Sequence, residues 1–168
     1  MLRDWIGQRF QGVMYALGFT CFSMLLFGLY LQHAVGLEPC PMCIVQRYLF
    51  LLVGIFCILA ALPLHRAGFI IFGSLASVAA FAGAFVAARQ SWLQWYPPEV
   101  VSCGRDLYGM IENFPLQRVL PMIFKGGGDC SKIDWTFMGG TIANWSFIWF
   151  VVFAALSASM VIARIRER

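Results

Sequence analysis

The sequence predicts an all-α integral membrane protein: a four-helix transmembrane bundle forming one domain of residues 1–168. The chain of 168 residues is 61% hydrophobic and only 12% charged, and its apolar residues fall in long runs that a soluble domain of this size does not show. Inside lipid an open chain satisfies its backbone hydrogen bonds only as a helix, and a helix of about 20 residues crosses the hydrocarbon core. Four stretches of suitable length lack Asp, Glu, Lys and Arg: residues 10–37, 48–64, 67–88 and 135–163.

The helices are expected within or close to these stretches. The first is too long for a secretory signal peptide and lacks a short apolar region ending in a small-residue cleavage site, so we expect it to be retained. The predicted helices lie near residues 15–32, 44–62, 69–88 and 145–163, with outer loops near 33–43 and 89–144.

Basic residues in the short connections predict the orientation. The outer loop between the first two helices has no Lys or Arg, and the long outer loop balances its charges. Both termini are therefore expected to be cytoplasmic. The net charge of +4 is consistent with contact with anionic lipid headgroups, and no clustered basic face supports nucleic-acid binding. The predicted cytoplasmic side carries Arg3, Arg9, Arg66, Arg164, Arg166 and Arg168 against Asp4 and Glu167.

The six cysteines separate by predicted depth. Cys21 and Cys57 lie in the middle of predicted helices, where we expect them to pack as small hydrophobic side chains. The other four fall on the outer side, where disulfides form and persist in an oxidising compartment. These four are Cys40, Cys43, Cys103 and Cys130.

The segment "CPMC" places Cys40 and Cys43 three residues apart. A disulfide across so short a loop stabilises little, and Cys-x-x-Cys pairs often serve thiol exchange, although a structural or metal-binding role stays open. Arg47 follows one helical turn after Cys43, so its guanidinium and the helix N-terminus both favour a thiolate at Cys43. The alternative for Arg47 is an anchor to lipid phosphate.

The long outer loop carries the second pair. Trp92, Trp95 and Tyr96 suit the membrane interface, and prolines follow them. Residues 106–124 show roughly helical spacing, which fits either a short broken helix on the bilayer surface or a loop packed on the bundle. The loop between Cys103 and Cys130 is long enough for a structural disulfide, but three glycines beside Cys130 also favour exchange.

If both cysteine pairs undergo thiol–disulfide exchange, the electrons that they collect need an acceptor. The sequence has no nucleotide-binding glycine motif, and His33 and His65 fall at opposite ends of the membrane span, which argues against paired haem ligation. Cysteines 103 and 130 lack the close spacing of a zinc ligand pair. A lipid-soluble small molecule near Cys43 and Arg47 is the remaining candidate.

These features together resemble the DsbB family, disulfide bond formation protein B. The resemblance rests on four helices, Cys-x-x-Cys followed by "IVQRY", a later cysteine pair, and "WTFMGG" before the last helix. It implies a bacterial inner-membrane enzyme with periplasmic loops that reoxidises a DsbA-like thiol oxidase. In that scheme the partner attacks Cys103, Cys130 attacks Cys40, and Cys43 beside Arg47 passes electrons to a quinone, either ubiquinone or menaquinone.

One position departs from the family pattern. The family often carries a histidine before the aromatic segment, where this chain has Arg89, Gln90 and Ser91. Gln90 and Gln94 are the residues able to donate a hydrogen bond there instead. Two other functions remain open from the sequence: a reductase relay of opposite polarity, as in vitamin K epoxide reductase-like proteins, and a structural four-helix adaptor.

Overall fold

The computed structural model describes residues 2–37, 39–62, 65–97, 133 and 135–166, with side chains from residue 9 onwards. All four helices in these ranges are long and apolar enough to cross a membrane, which confirms the predicted four-helix membrane bundle. The elements are α1 (Leu2–Ala34), α2 (Pro41–Ala61), α3 (Arg66–Trp95), β1 (Thr136–Phe137), β2 (Gly140–Thr141) and α4 (Ile142–Arg166).

Three helices extend beyond the predicted segments at both ends, and α2 begins three residues earlier than predicted, so the loop boundaries near 33–43 and 89–144 need correction. Helix α3 continues to Trp95, because Arg89 does not interrupt a helix whereas the prolines at 97 and 98 cannot continue one. Helix α2 begins at Pro41, directly after its N-cap Cys40, because proline is well suited to the first helical position. The first turn of α2 therefore includes Cys43.

Small residues on α3 allow α4 to approach closely. An ideal Cβ at Gly83 would lie within 2.6 Å of three atoms of the Phe150 ring, and one at Gly73 would lie 2.6 Å from Val161 Cγ2. The Phe150 ring stacks on Phe50 of α2, with centroids 3.9 Å apart. Close van der Waals packing of this kind is one of the forces that associate helices in lipid, where burial of apolar surface gains little.

The outer surface of the bundle is apolar, as expected for a lipid-facing surface. Phe19, Val78 and Phe81 are each about two-thirds exposed or more. At the opposite end of the bundle from Cys40, Arg66 donates hydrogen bonds to the carbonyl oxygens of Arg164 and Ile165, each at 2.9 Å. These bonds satisfy carbonyls that the last turn of α4 leaves without helical partners.

A short antiparallel hairpin precedes α4. Thr136 pairs with Thr141 and Phe137 with Gly140, and the two loop residues Met138 and Gly139 both have positive φ, 50° and 81°. Positive φ at both positions is the geometry of a tight type I′ hairpin turn. The hairpin thus turns within two residues and leads directly into α4.

Candidate functional site

The N-terminus of α2 holds two thiols side by side. Cys40 is the N-cap, and its Sγ accepts a hydrogen bond from the backbone N–H of Cys43 at 3.3 Å. The Cys40 thiol also donates to Cys43 Sγ across 2.9 Å. Free N–H groups and the partial positive charge of a helix N-terminus stabilise an anion there. The geometry therefore brings two sulfur atoms together where a thiolate is favoured.

A buried amide on α3 contacts both sulfurs. Gln90 Nε2 lies 3.3 Å from Cys40 Sγ and 3.2 Å from Cys43 Sγ, and donates to each. Gln90 Oε1 accepts a hydrogen bond of 2.6 Å from Gln46 Nε2. Both glutamines are 3% exposed. The α2–α3 interface thus supplies the thiols with hydrogen-bond donors shielded from bulk water.

Arg47 links α2 to α1. Its guanidinium donates to the Gln32 side-chain oxygen and, at 3.0 Å, to the carbonyl oxygen of Gly28. A Cβ at Gly28 would lie 3.7 Å from the Arg47 Nε, an ordinary van der Waals distance, so the guanidinium packs directly against this part of α1. The charge is thereby held at a defined place, one turn from Cys43.

An apolar cavity of about 590 Å³ opens beside the thiols. Cys40, Cys43 and Arg47 line it together with Gln46 and Gln90. Most of its remaining wall is aliphatic or aromatic, which is typical of sites for small, largely apolar ligands. The apolar wall includes Met24, Leu25, Phe27, Leu31, Leu37, Phe50, Ile133, Trp135, Phe137, Ile142, Trp145 and Trp149.

The hairpin and the start of α4 supply aromatic rings to this wall. Trp135 stacks on Phe137 with centroids 6.0 Å apart and meets Phe27 of α1 edge to face. The Trp145 indole N–H donates to the Phe137 carbonyl oxygen at 3.0 Å. A Cβ at Gly140 would lie 2.9 Å from that indole nitrogen, so the glycine leaves the room the indole needs. The residues before α4 are thereby held against α1.

The structure brings three predicted site residues together: Cys40, Cys43 and Arg47 all line the cavity. Cys103 and Cys130 lie outside the described residues. Cys21 and Cys57, predicted to pack as small side chains, are fully buried in the core.

Sequence reasoning missed two members of the site. Gln32 and Gln46, which hold Arg47 and Gln90 respectively, were not singled out. The available signal was their polarity, because polar side chains within apolar membrane segments usually face the protein interior. For Gln90 the sequence predicts only a hydrogen bond to a ligand, whereas its amide donates to the two sulfurs.

Comparisons with known proteins agree on one family. Residues 9–160 match the family model described as Disulfide bond formation protein DsbB. Disulfide bond formation protein B of Acidovorax sp. (strain JS42) is 58% identical, with 91% of this chain and 88% of the relative covered. The same-named protein of Polaromonas naphthalenivorans (strain CJ2) is 60% identical over 88% of this chain and 89% of its own length. That of Albidiferax ferrireducens is 54% identical, covering 100% and 97%.

Proposed function

The chain belongs to the DsbB family of disulfide bond formation proteins, and from this premise we propose that it reoxidises a DsbA-like dithiol oxidase and passes the electrons to a membrane quinone. Family membership makes it a multi-pass membrane disulfide oxidoreductase; the partner and the acceptor are the proposed part. The observation that carries the proposal is the Cys40 and Cys43 pair at the wall of an apolar cavity. A redox-active dithiol beside a site for an apolar ligand suits transfer of electrons to a lipid-soluble acceptor.

The partner's electrons enter through the outer cysteines. A thiolate of the reduced partner attacks a Cys103–Cys130 disulfide at Cys103, which forms a mixed disulfide and releases Cys130. Cys130 then attacks Cys40 of a Cys40–Cys43 disulfide, and Cys43 leaves as a thiolate. The partner's second thiolate then attacks the mixed disulfide, which oxidises the partner and releases Cys103. The Cys103 thiolate attacks Cys130 of the Cys130–Cys40 disulfide, which restores the Cys103–Cys130 bond and releases Cys40. Cys40 and Cys43 then hold the two electrons as a dithiol.

The described geometry supports one step of this scheme, the departure of Cys43 as a thiolate. A better-stabilised thiolate leaves faster in disulfide exchange. Cys43 lies in the first turn of α2, and its sulfur accepts a hydrogen bond from the Gln90 amide, a donor that remains when Cys40 is bonded to Cys130. This placement and this hydrogen bond are consistent with Cys40 as the attacked sulfur and Cys43 as the departing one.

The cavity residues fit a quinone. Aromatic and aliphatic side chains form most of the wall and suit an apolar ring, while Arg47 and Gln94 supply polar groups able to donate to ring oxygens. A bound quinone would supply the acceptor for two electrons and two protons. Cys43 would face it as the electron donor. Arg47, tied to α1 through Gln32 and Gly28, would place a fixed positive charge beside the developing negative charge.

The proposed setting is the bacterial inner membrane, with both termini cytoplasmic and the two outer loops periplasmic. Support comes from the basic residues at the end of the bundle opposite the thiols, among them Arg66, Arg164 and Arg166. This orientation puts Cys40 on the side of the oxidising compartment, where the proposed DsbA-like partner would meet it.

The test is oxidation of a reduced DsbA-type protein by the purified chain in detergent, with ubiquinone-1 or a short-chain menaquinone added or omitted. We expect quinone-dependent turnover that Cys43→Ala abolishes. Cys57→Ala is the matched control, because it removes a thiol from the same helix deep in the core; turnover should persist. A folded wild type that fails to turn over with either quinone would refute the proposed acceptor.

A further inference from the structure

The Gln90 side chain is placed between two different kinds of partner. Its Nε2 meets the Cys40 and Cys43 sulfurs at 3.3 and 3.2 Å, and its Oε1 meets Gln46 Nε2 at 2.6 Å. An amide nitrogen carries two protons and an amide oxygen carries none. In this orientation Gln90 therefore gives one N–H to each sulfur and accepts one from Gln46.

The opposite amide orientation would reverse these contacts. Gln90 Oε1 would then face the two sulfurs, and its Nε2 would lie against the donating nitrogen of Gln46. That arrangement puts two donors together and directs a partial negative charge at an anionic sulfur. Because both glutamines are 3% exposed, water cannot readily repair such a mismatch, and an unmade buried hydrogen bond is costly.

We infer that Gln46 is a positioning residue: by holding the Gln90 amide nitrogen toward Cys40 and Cys43, it stabilises the reduced pair and makes the Cys40–Cys43 disulfide a stronger oxidant. Hydrogen bonds to an ionised sulfur are stronger than those to a neutral one. The amide therefore favours the dithiol, part of which is thiolate, over the disulfide. A disulfide whose reduced form is stabilised has a higher reduction potential.

The inference rests on the proposed function and deepens it, since a more oxidising Cys40–Cys43 disulfide more readily takes electrons from the Cys103 and Cys130 pair. It assigns the effect to a residue whose described hydrogen bond runs to Gln90 and not to either sulfur. Gln46 acts through Gln90, so the two glutamines should behave as one unit when they are replaced.

The test is a redox equilibrium with dithiothreitol in full-length protein carrying Cys103→Ser and Cys130→Ser, so that Cys40 and Cys43 are the exchanging pair. One dithiothreitol dithiol reduces the Cys40–Cys43 disulfide to two thiols and becomes a cyclic disulfide. The reduced fraction is trapped by alkylation and measured by mass spectrometry. We expect Gln46→Leu to lower the equilibrium constant for reduction by about tenfold, which is about 30 mV for a two-electron couple.

A double-mutant cycle separates positioning from general destabilisation. Gln90→Leu should lower the constant at least as much as Gln46→Leu, and the double variant no further than Gln90→Leu alone. Additive effects of Gln46→Leu and Gln90→Leu, or an unchanged constant in either folded single variant, would overturn the inference.

Two further variants serve as controls, one for misfolding of Gln46→Leu and one for the general loss of a polar side chain from α3. Gln46→Met keeps nearly the length and flexibility of the side chain, so it carries the test if Gln46→Leu does not fold; it has no N–H or O–H to donate, and the constant should again fall. Ser77→Ala removes a different polar α3 side chain, one that lies outside the cavity and donates to the Ala154 carbonyl oxygen, and should leave the constant unchanged; a fall equal to that of Gln46→Leu would overturn the inference. Neither quinone nor partner takes part, so failure of the proposed electron acceptor would not affect the outcome.

Discussion

Replacement of Gly83 by alanine tests whether the close approach of α3 and α4 supports the whole site. Gly83 is buried on α3, and an added Cβ would lie within 2.6 Å of three atoms of the Phe150 ring. Favourable carbon–carbon contacts lie at about 3.5–4.0 Å, so the ring or the helices must separate by roughly 1 Å. Phe150 is fully buried and stacks on Phe50, which leaves the ring little room to move.

The expected cost follows from this clash. Overpacking of a close-packed interior costs about 1–3 kcal/mol, and the better helix propensity of alanine offsets up to about 1 kcal/mol of it. A net loss of roughly 1–2 kcal/mol is therefore expected for Gly83→Ala. Because Phe50 lines the cavity, displacement of the Phe50–Phe150 stack should also raise the KM for quinone.

The assay is reversible unfolding in mixed detergent micelles, followed by helical circular dichroism as the denaturing detergent is increased. Gly12→Ala is the matched control, because it makes the same change in a helix where a Cβ would meet no atom within 4 Å. That variant should be neutral or slightly more stable. Equal unfolding free energies for the two variants would refute the claim that the α3–α4 contact at Gly83 is close-packed.

Three further outcomes are expected. Arg47→Ala should raise the KM for quinone about tenfold, because a hydrogen bond from a charged group contributes about 1.5–3 kcal/mol; an unchanged KM in steady-state assays would remove the guanidinium from the proposed site. Cys21→Ala combined with Cys57→Ala should keep the oxidase turnover, since both thiols lie in the core, and a large loss in folded protein would reveal an additional redox step. Gly139→Val should destabilise the hairpin by about 1–2 kcal/mol, because position 139 has φ of 81°. The same variant should raise the KM for quinone through displacement of Phe137, and a KM equal to that of the wild type would argue against the hairpin as a wall of the site.

Composition was sufficient to predict the four membrane helices, because the length of a charge-free run is set by the thickness of the hydrocarbon core. The Cys-x-x-Cys spacing and the arginine one turn later likewise predicted that Cys40, Cys43 and Arg47 share a site, since three or four residues make one helical turn. These relations are local in sequence. They do not depend on how the helices are rotated against one another.

The relations between helices could not be obtained in the same way. In a membrane both the lipid-facing and the core-facing sides of a helix are apolar, so the sequence pattern carries little information on which side faces inward. The Gln46–Gln90 bond joins residues 44 positions apart and depends on the rotation of α2 relative to α3. The hairpin before α4 was also missed, because Met138 is an unusual residue for a turn position with positive φ.

The Cys40 side chain couples disulfide chemistry to the dynamics of the first turn of α2. Its sulfur is a proposed redox centre and also the cap of the first turn of α2, where it accepts a hydrogen bond from the Cys43 N–H. A bond that draws this sulfur toward a loop cysteine takes the acceptor away, and an uncapped first turn frays more readily. Amide hydrogen exchange at Cys43 should therefore follow the chemical state of Cys40, so that the length of a helix reports on the progress of electron transfer.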